Sequence, residues 1–222
     1  MKKHSVSVSG EVVGDEVTVT SVVDKVSTPE QEKPQEKTQA EPEPMPKSTA
    51  VELGVFCRAK TVEIPTYATP GSAAFDIKAN FEGFEEITVY TPQNHNMSKR
   101  VRPGDPDHPR SIAIEAGERA IVPTNLIFDI PKDYQLLIYP RSGASVTRGY
   151  NLANNVGVID SDFVEPLLII IFNHSSTRVI INEGEKIAQG ELVPVIKADF
   201  KLLASNPGRK STRIGGLGST GM

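Results

Sequence analysis

PRSGASVTRGYNLANNVGVIDSDF, residues 140–163, joins two strongly apolar segments of the chain. QLLIY (135–139) comes directly before it, and LLIIIF (167–172) follows shortly after it. Both segments are short and rich in β-branched, aliphatic or aromatic residues, which is typical of strands. The sequence therefore predicts a loop-rich connection between two strands of a sheet, where a rigid support exposes reactive side chains.

The start and the end of this stretch carry complementary chemistry. Arg141, Ser142 and Gly143 offer a guanidinium, a hydroxyl and backbone amides, which suit an anion such as phosphate. Asp160 and Asp162 follow about twenty residues later, and a carboxylate can take a proton from a water molecule. Each motif alone is as readily an ordinary turn. Together, a phosphate holder and a general base indicate a phosphoester or phosphoanhydride hydrolase.

Outside this stretch, the chain from Leu53 onward consists of short apolar runs separated by Gly, Pro and Asn. No long segment keeps the 3.6-residue apolar period of a helix, so little helix is expected. Many short strands with turn signals between them predict an all-β sandwich or barrel. The predicted strands are 55–57, 87–90, 112–114, 119–128, 135–139, 167–172, 178–181 and 187–195.

Composition narrows the classes of function. The 222 residues carry a net charge of −4, which gives no basic surface for stable nucleic-acid binding. A single cysteine, Cys57, excludes an internal disulfide and a cysteine-based zinc site. There is no apolar run of roughly 20 residues for a membrane span and no convincing signal peptide. A reducing, cytoplasmic setting without membrane contact is the default expectation.

Residues 1–50 differ from the rest of the chain because they contain no Leu, Ile, Phe, Tyr or Trp. Such a segment buries too little apolar surface to offset its ordering entropy, so it is predicted to be a disordered extension. Valines between residues 6 and 23 partly alternate with polar residues, and a docking segment or small appended hairpin is the alternative. A β domain over 51–206 and a flexible Gly-rich arm over 207–222 complete the predicted organisation.

TPQNHNMSKRVRPGDPDHPRS (91–111) interrupts the strand pattern with four prolines and four basic residues, and is predicted to be a surface loop. This segment and residues 1–50 are the candidate contact surfaces for a protein partner. His95 and His108 lie in the loop but lack a fixed ligand spacing, so a metal site there is not expected.

Five motifs along the chain carry a family resemblance. In this order and at these spacings they resemble the motifs of the trimeric dUTP diphosphatases (dUTPases), and the resemblance covers roughly residues 54–222. It implies a distorted jelly roll, a barrel of the β-clip type, assembled as a homotrimer whose sites each use motifs from several subunits. The motifs are PGSAAFDIKA (70–79), PRSG (140–143), NNVGVIDSDF (154–163), GEKIAQ (184–189) and GGLGSTG (215–221).

The activity that the resemblance implies is hydrolysis of dUTP to dUMP and pyrophosphate, which limits uracil incorporation into DNA and supplies dUMP. Asp160 would be the catalytic base that draws a proton from a water attacking the α-phosphorus. Mg²⁺ would be held by substrate phosphates and water, without direct protein ligands. Asp76 would support the site by holding Arg141.

The remaining site residues implied by the resemblance bind the substrate. The phosphate chain would contact Arg141, Ser142, Gly143 and Gln189. Uracil and deoxyribose would contact Asn154, the backbone of Val158 and Ile159, and the ring of Phe163. A C-terminal arm closing over the nucleotide would contribute Arg213, Leu217, Gly218, Ser219 and Thr220.

Three positions depart from the family's pattern: Phe163 replaces a common Tyr, Glu165 a common Gly and Leu217 an aromatic residue. The spacing between Arg213 and the Gly-Gly pair is also one residue shorter. Because Glu resists a backbone with positive φ, the turn at Glu165 is expected to differ. Without an aromatic ring at Leu217, weaker closure of the arm is expected.

Two alternative functions are open at this point. The first is a dCTP deaminase of the same fold, although that subfamily typically has a second Ser where this chain has Gly143. The second is a regulatory binding protein that uses the nucleotide site as a switch and residues 1–50 or 91–111 as its contact surface.

Overall fold

The computed structural model describes residues 50–211, which form thirteen β-strands and one helical turn. The strands are β1 (Gly54–Cys57), β2 (Phe75–Lys78), β3 (Glu86–Tyr90), β4 (Asn96–Arg100), β5 (Ser111–Ile114), β6 (Arg119–Pro123), β7 (Leu126–Asp129), β8 (Tyr134–Tyr139), β9 (Tyr150–Leu152), β10 (Gly157–Ile159), β11 (Leu168–Asn173), β12 (Val179–Asn182) and β13 (Lys186–Pro194). The helical turn spans Ala144–Arg148. Over these residues no helix is long and apolar enough to cross a membrane.

Two antiparallel sheets carry most of the fold. One has the strand order β10-β8-β13-β2, and the other has the order β4-β3-β6-β11-β9. Two further pairs, β1-β7 and β12-β5, lie outside these sheets. Strands distant in sequence are neighbours in space, as β2 and β13 illustrate. This arrangement is that of a jelly roll and not of a simple meander, so the predicted all-β fold is confirmed.

Alternating side chains divide the sheets into a core face and an outer face. In β2, Phe75 and Ile77 are buried, whereas Asp76 and Lys78 lie on the other face, as expected for successive residues of a strand. In β11 the buried Ile169 alternates with exposed neighbours in the same way. The largest fully buried side chains are Tyr150, Phe81, Ile77, Ile112, Ile114, Leu136, Ile138, Ile171, Ile181, Ile187, Val89 and Val122.

The strand predicted over 119–128 is two strands, β6 and β7, and the prediction was wrong at Thr124 and Asn125. Asn125 has a φ of 54°, the left-handed conformation that Asn tolerates better than most residues. Its side-chain amide donates to Asn80 Oδ1 at 2.7 Å and to the carbonyl of Glu82 at 2.9 Å. These side-chain hydrogen bonds replace the strand ladder at this corner.

The segment predicted to be a surface loop at 91–111 contains a strand. β4 pairs with β3 along its whole length, through a turn in which Asn94 has a φ of 65°. Arg119 holds the turn by donating to the carbonyl of Thr91 and to the side chain of Asn94. The segment is largely exposed, as expected, but its first half extends the five-stranded sheet.

Candidate active site

The PRSG loop begins where β8 ends, at one corner of the four-stranded sheet. Tyr139, Gln189 and Asp76 lie side by side across β8, β13 and β2 at this end. Their side chains are on the outer face of the sheet, because Ile138, Gly190 and Phe75 in the next row face the core. The loop therefore leaves the sheet next to a row of polar side chains.

Asp76 is the centre of an ion-pair cluster at this corner. Its Oδ1 lies 2.9 Å from Arg141 Nε and its Oδ2 lies 2.7 Å from Lys186 Nζ. Arg141 also donates from Nη1 to the carbonyl of Lys186 at 3.0 Å. The Asp76 side chain is 17% exposed, so two cations stabilise a carboxylate that is mostly removed from water. The structure thus places Asp76 against Arg141 and adds Lys186.

Gln189 contacts the backbone of the loop. Its Nε2 donates to the carbonyl of Pro140 at 2.9 Å. A side-chain amide has two N–H groups, so this contact leaves one for a ligand. Gln189 thereby links β13 to the residue that precedes Arg141.

The helical turn after the loop holds its backbone. Ser145 N donates to the carbonyl of Arg141 at 3.0 Å, and Thr147 Oγ1 donates to the carbonyl of Gly143 at 2.7 Å. No described atom lies within 4 Å of the place where a Cβ on Gly143 would be. The loop is therefore fixed from behind while its outer side is open.

Glu185 of the GEKIAQ motif fixes the far end of this turn, a contact that sequence reasoning missed. Its Oε1 accepts from Tyr150 Oη at 2.8 Å and lies 3.2 Å from Arg148 Nη1. Burial, followed by the charge of Glu185, raises the pKa of Tyr150 well above its usual value, so the phenol stays protonated and donates. The two motifs are thus joined through side chains that neither motif's own pattern identifies.

A cleft of about 540 Å³ opens in front of the loop. Tyr139 and Glu191 form its side wall, and burial together with the Glu191 carboxylate raises the pKa of the Tyr139 phenol. The other lining residues are Ala68, Ser72, Ala73, Ala74, Asp76, Arg141, Ser142, Gly143, Lys186 and Gln189. Two cations balance the carboxylates of Asp76 and Glu191, and hydroxyls and amides add neutral donors, so the lining offers N–H and O–H groups to an anionic ligand.

The second group of predicted residues lies in the 154–163 segment, which follows β9 of the five-stranded sheet and contains β10 at the edge of the four-stranded sheet. Val158 is 56% exposed and Phe163 is 40% exposed, so two apolar side chains face outward. Asp160 follows β10 directly and is exposed, and its carbonyl accepts from the backbone N–H of Phe163 at 3.1 Å. Asn154 is exposed in the turn between β9 and β10, and Ile159 is partly buried.

Glu165, which follows the 154–163 segment, does not have a strained backbone. Among residues 50–211, positive φ outside glycine occurs at Asn94, Asn125, Asp133 and Asn155, and Glu165 is not one of them. The backbone here has a conformation that Glu adopts without strain, in line with the expectation of a different turn from one that requires Gly.

The two groups lie at diagonally opposite corners of the sheet within one chain. Asp76 is on the edge strand β2, in the row of Tyr139, whereas Asp160 follows the edge strand β10, one step beyond the pair Ile159–Leu136. Three strand spacings of about 4.8 Å and four residues of about 3.4 Å separate the two carboxylates by about 20 Å. One chain therefore does not bring the predicted base next to the predicted phosphate cleft.

The predicted residues of the C-terminal arm, Arg213, Leu217, Gly218, Ser219 and Thr220, lie outside the described residues. The described segment before them, 195–211, has no regular secondary structure. It exposes three large apolar side chains almost completely: Ile196 (95%), Phe200 (94%) and Leu202 (96%).

The fold and the two groups of residues are those of an all-β hydrolase acting on a phosphorylated ligand. The comparisons with known proteins identify the family. The family model for dUTPase matches residues 106–221, just over half of the chain. A deoxyuridine 5'-triphosphate nucleotidohydrolase of Chlamydia pneumoniae is 32% identical over 170 residues, covering 76% of this chain and 99% of that protein. The chain belongs to the dUTPase family, as its five motifs predicted.

Solved structures support the same fold. The dUTPase of Staphylococcus bacteriophage 80alpha, solved with dUpNHpp, superposes with a TM-score of 0.59 at 20% identity and covers 78% of this chain and 100% of that one. A dUTPase from phage phi11 of S. aureus, described with a structural Mg(II) ion, has a TM-score of 0.53 at 19% identity and covers 71% and 100% of the two chains. At these identities the likeness establishes the jelly-roll fold.

Proposed function

We propose that this protein hydrolyses dUTP to dUMP and pyrophosphate at sites formed between copies of the chain. Membership of the dUTPase family confirms the predicted enzyme class. The observation that carries the proposed mechanism is the position of the cleft with Arg141 and of the exposed carboxylate of Asp160 at opposite corners of one sheet. Each chain supplies a phosphate-binding half to one site and a base-binding half to another.

The cleft at the PRSG loop is the proposed phosphate-binding half. Arg141 and Lys186 balance the two carboxylates of the lining, Asp76 and Glu191, so binding of the triphosphate depends on directed N–H and O–H donors, of which the Arg141 guanidinium is the charged one. Ser142, the Gly143 amide and the second N–H of Gln189 add neutral donors without added repulsion. Because the helical turn fixes the loop, these donors are placed before the substrate arrives.

The 154–163 segment is the proposed nucleoside-binding half. The backbone of Val158 and Ile159 and the side chain of Asn154 provide paired donors and acceptors for the uracil edge, and the Phe163 ring packs against deoxyribose. Cytosine reverses the donor and acceptor pattern of that edge. A mismatch would leave buried polar groups unpaired, at a cost of about 1–3 kcal/mol for each of them.

Asp160 is the proposed general base. It accepts a proton from a water molecule as the water oxygen attacks the α-phosphorus, and the bond from that phosphorus to the bridging oxygen breaks. The electrons of the broken bond stay with pyrophosphate, so dUMP and pyrophosphate carry all the atoms of dUTP and water. When bound, Mg²⁺ neutralises charge on the phosphate oxygens. Residues 50–211 contain no cluster of His, Cys, Asp or Glu that could hold the ion, and a cleft of donors and cations fits the phosphates as its ligands.

A homotrimer is the proposed assembly. In a ring of three chains the same head-to-tail interface occurs three times, so each interface forms an identical site. The separation of the two halves within one chain supports it. The exposed side chains of Val158 and Phe163 in the 154–163 segment and of Ile196 and Phe200 in the segment before the arm are apolar surface that a neighbouring chain could cover. Residues 207–222 would close over the nucleotide as the arm of the site.

The test follows pyrophosphate release from dUTP, dCTP and UTP with Mg²⁺, for the wild type and Asp160→Asn. The wild type is expected to cleave dUTP in strong preference to the other two, and the variant to bind dUTP without turnover. Cleavage of dUTP by the variant at the wild-type rate would remove Asp160 from the mechanism. If the wild type shows no preference for dUTP over dCTP, this would contradict the assignment of the 154–163 segment to uracil binding.

A complementation experiment tests the shared site. Asp160→Asn and Arg141→Ala are each expected to be inactive, and refolding them together in equal amounts forms mixed trimers. About one quarter of the junctions then combine an intact Asp160 with an intact Arg141, so about one quarter of the wild-type activity should return. No recovery from mixed trimers would show that both residues act within one chain.

A further inference from the structure

The two oxygens of the Asp76 carboxylate have different partners. Oδ1 lies 2.9 Å from Arg141 Nε, and Oδ2 lies 2.7 Å from Lys186 Nζ, both as ion-pair contacts. An arginine and a carboxylate that meet without a competitor commonly form two parallel hydrogen bonds. In the side-on form of that pair, Nε binds one carboxylate oxygen and Nη2, on the same edge of the guanidinium, binds the other. Lys186 occupies the oxygen that Arg141 Nη2 would take.

The rest of the Arg141 guanidinium agrees with this arrangement. Nη1 donates to the backbone carbonyl of Lys186 at 3.0 Å, so the opposite edge is also held by residue 186. Nη2 has no acceptor among residues 50–211. Arg141 is therefore held by the hydrogen bond from Nη1 and by the ion-pair contact of Nε with Asp76, and the N–H groups of Nη2 are available at a cleft lined by Ser142 and Gly143.

We propose that Lys186 is a positioning residue that keeps Arg141 Nη2 available for the substrate's phosphate chain. It does so by occupying Asp76 Oδ2, and its own ammonium need not touch the substrate. This inference rests on the proposed function of the PRSG cleft, and it assigns a role to a lysine of the GEKIAQ motif, whose predicted substrate contact was Gln189 alone. Without Lys186, Asp76 would draw Arg141 into a side-on bidentate pair, and binding of a triphosphate would have to break one of those bonds.

The chain offers a closely matched control. Lys78 lies on the same outer face, directly across the strand pair from Lys186. It also forms a 2.7 Å ion pair with a carboxylate, that of Glu63, and its side chain is 43% exposed compared with 46% for Lys186. Lys78→Met therefore removes the same charge and a similar salt bridge from the same surface without touching Asp76.

The test measures kcat and KM for dUTP, and the dissociation constant of a non-hydrolysable dUTP analogue by calorimetry. Lys186→Met is expected to raise KM and weaken analogue binding about tenfold, the effect of one charge-assisted hydrogen bond, with little change in kcat. Lys186→Arg should restore both values, because a guanidinium can also donate to Oδ2. Lys78→Met should match the wild type.

A second background separates positioning from direct binding. In Asp76→Asn the side chain no longer attracts Arg141 as a carboxylate does, so adding Lys186→Met should have no further effect. An equal loss of analogue binding in both backgrounds would show that Lys186 contacts phosphate itself and would overturn the proposal. So would unchanged KM and binding in Lys186→Met.

Controls keep this outcome distinct from failure of the proposed function. Absence of dUTP cleavage by the wild type would contradict the function, whereas analogue binding still reports on Lys186. Urea unfolding midpoints identify a variant that loses binding through loss of structure. If Lys186→Met is unfolded, Lys186→Gln replaces it. Its neutral amide can still donate to Asp76 Oδ2, so Lys186→Gln should keep part of the wild-type affinity for the analogue although the charge is lost. Complete loss of analogue binding by a folded Lys186→Gln would contradict the mechanism.

Discussion

Gly190→Ala is predicted to destabilise the protein, because Gly190 lies in the middle of β13 where the sheet meets the core. A Cβ at this position would lie 2.8 Å from Phe75 Cε2, 2.9 Å from Phe75 Cζ and 3.3 Å from Ile77 Cδ1. Carbon atoms normally approach to about 3.5–4.0 Å, so the Phe75 ring must move by roughly 0.7 Å or more. Phe75 is only 5% exposed and its ring packs 6.0 Å from that of Phe128, centroid to centroid.

The size of the effect follows from two opposing contributions. Overpacking of this kind costs about 1–3 kcal/mol, while replacing a strand glycine with alanine gains about 0.5–1 kcal/mol from reduced freedom of the unfolded chain. The first contribution is larger, and a net loss of about 1–2 kcal/mol is expected. With a urea m-value of about 2 kcal/mol/M, the unfolding midpoint should fall by about 0.5–1 M. Because Asp76 follows Phe75 directly, KM for dUTP should also rise.

The assay is urea unfolding at a fixed protein concentration, since assembly contributes to apparent stability. Gly208→Ala is the matched control, as no described atom lies within 4 Å of its added Cβ. Phe75→Leu in the Gly190→Ala background should recover part of the loss, so the two changes together should cost less than their sum. A midpoint for Gly190→Ala at or above that of the wild type would refute the packing argument.

Three further predictions concern the core and the metal. Asn173→Ala should lower the free energy of unfolding in urea by about 3 kcal/mol. The buried side-chain amide donates to the carbonyls of Ile114 at 2.9 Å and Thr177 at 2.8 Å, and both carbonyls would lose their partner. Asn173→Asp should not restore the stability, because a carboxylate has no N–H group to donate. The pKa of Tyr150 is raised from its usual 10.0, so its stabilising contribution is complete below pH 10 and is lost as the pH rises beyond it. Wild-type thermal stability should therefore fall more steeply above pH 10 than that of Tyr150→Phe, and parallel curves would contradict this. Removal of Mg²⁺ with EDTA should slow pyrophosphate release, and added Mg²⁺ should restore it; an unchanged rate would exclude the ion from the proposed mechanism.

Local alternation made the sheet faces predictable from the sequence. Asp76 stands between Phe75 and Ile77 in the sequence, and the two-residue period of a strand places it on the opposite face from them, where it lies. The apolar runs before and after residues 140–163 are strands for the same reason, since β-branched and aliphatic side chains fit a half-buried pleated surface. These features depend on residues close in sequence, so a pattern of a few letters contains them.

Features that depend on distant residues were not predictable in this way. The corner at Asn125 is held by side-chain contacts with Asn80 and Glu82, more than 40 residues earlier. The strand β4 forms in a segment rich in turn residues because β3 offers it a complete ladder. In both places tertiary hydrogen bonds override the local preference of the chain.

Lys186 shows the limit most clearly. It lies three residues before Gln189, and in a regular strand an odd separation places two side chains on opposite faces. A β-bulge between Lys186 and Ala188 shifts the register, so that Lys186 pairs with Lys78 while Gln189 pairs with Asp76. Ile187 and Ala188 are consequently both buried, and Lys186 joins Gln189 on the outer face. Only the paired strand reveals that the lysine reaches the carboxylate.

In the proposed shared site, the position of the two halves would connect folding, assembly and catalysis. Asp160 follows one edge strand of the sheet and Asp76 lies on the other, so their separation is set by the number of strands between them. No rearrangement of a loop brings these corners together while the sheet is intact, because both are fixed to paired backbones. The Val158 side chain exposed at one corner is unfavourable in water, and covering it with a neighbouring chain favours association. The residues that bind the nucleoside would thus also stabilise the assembly that completes the site, and activity would depend on association rather than on the fold of one chain alone.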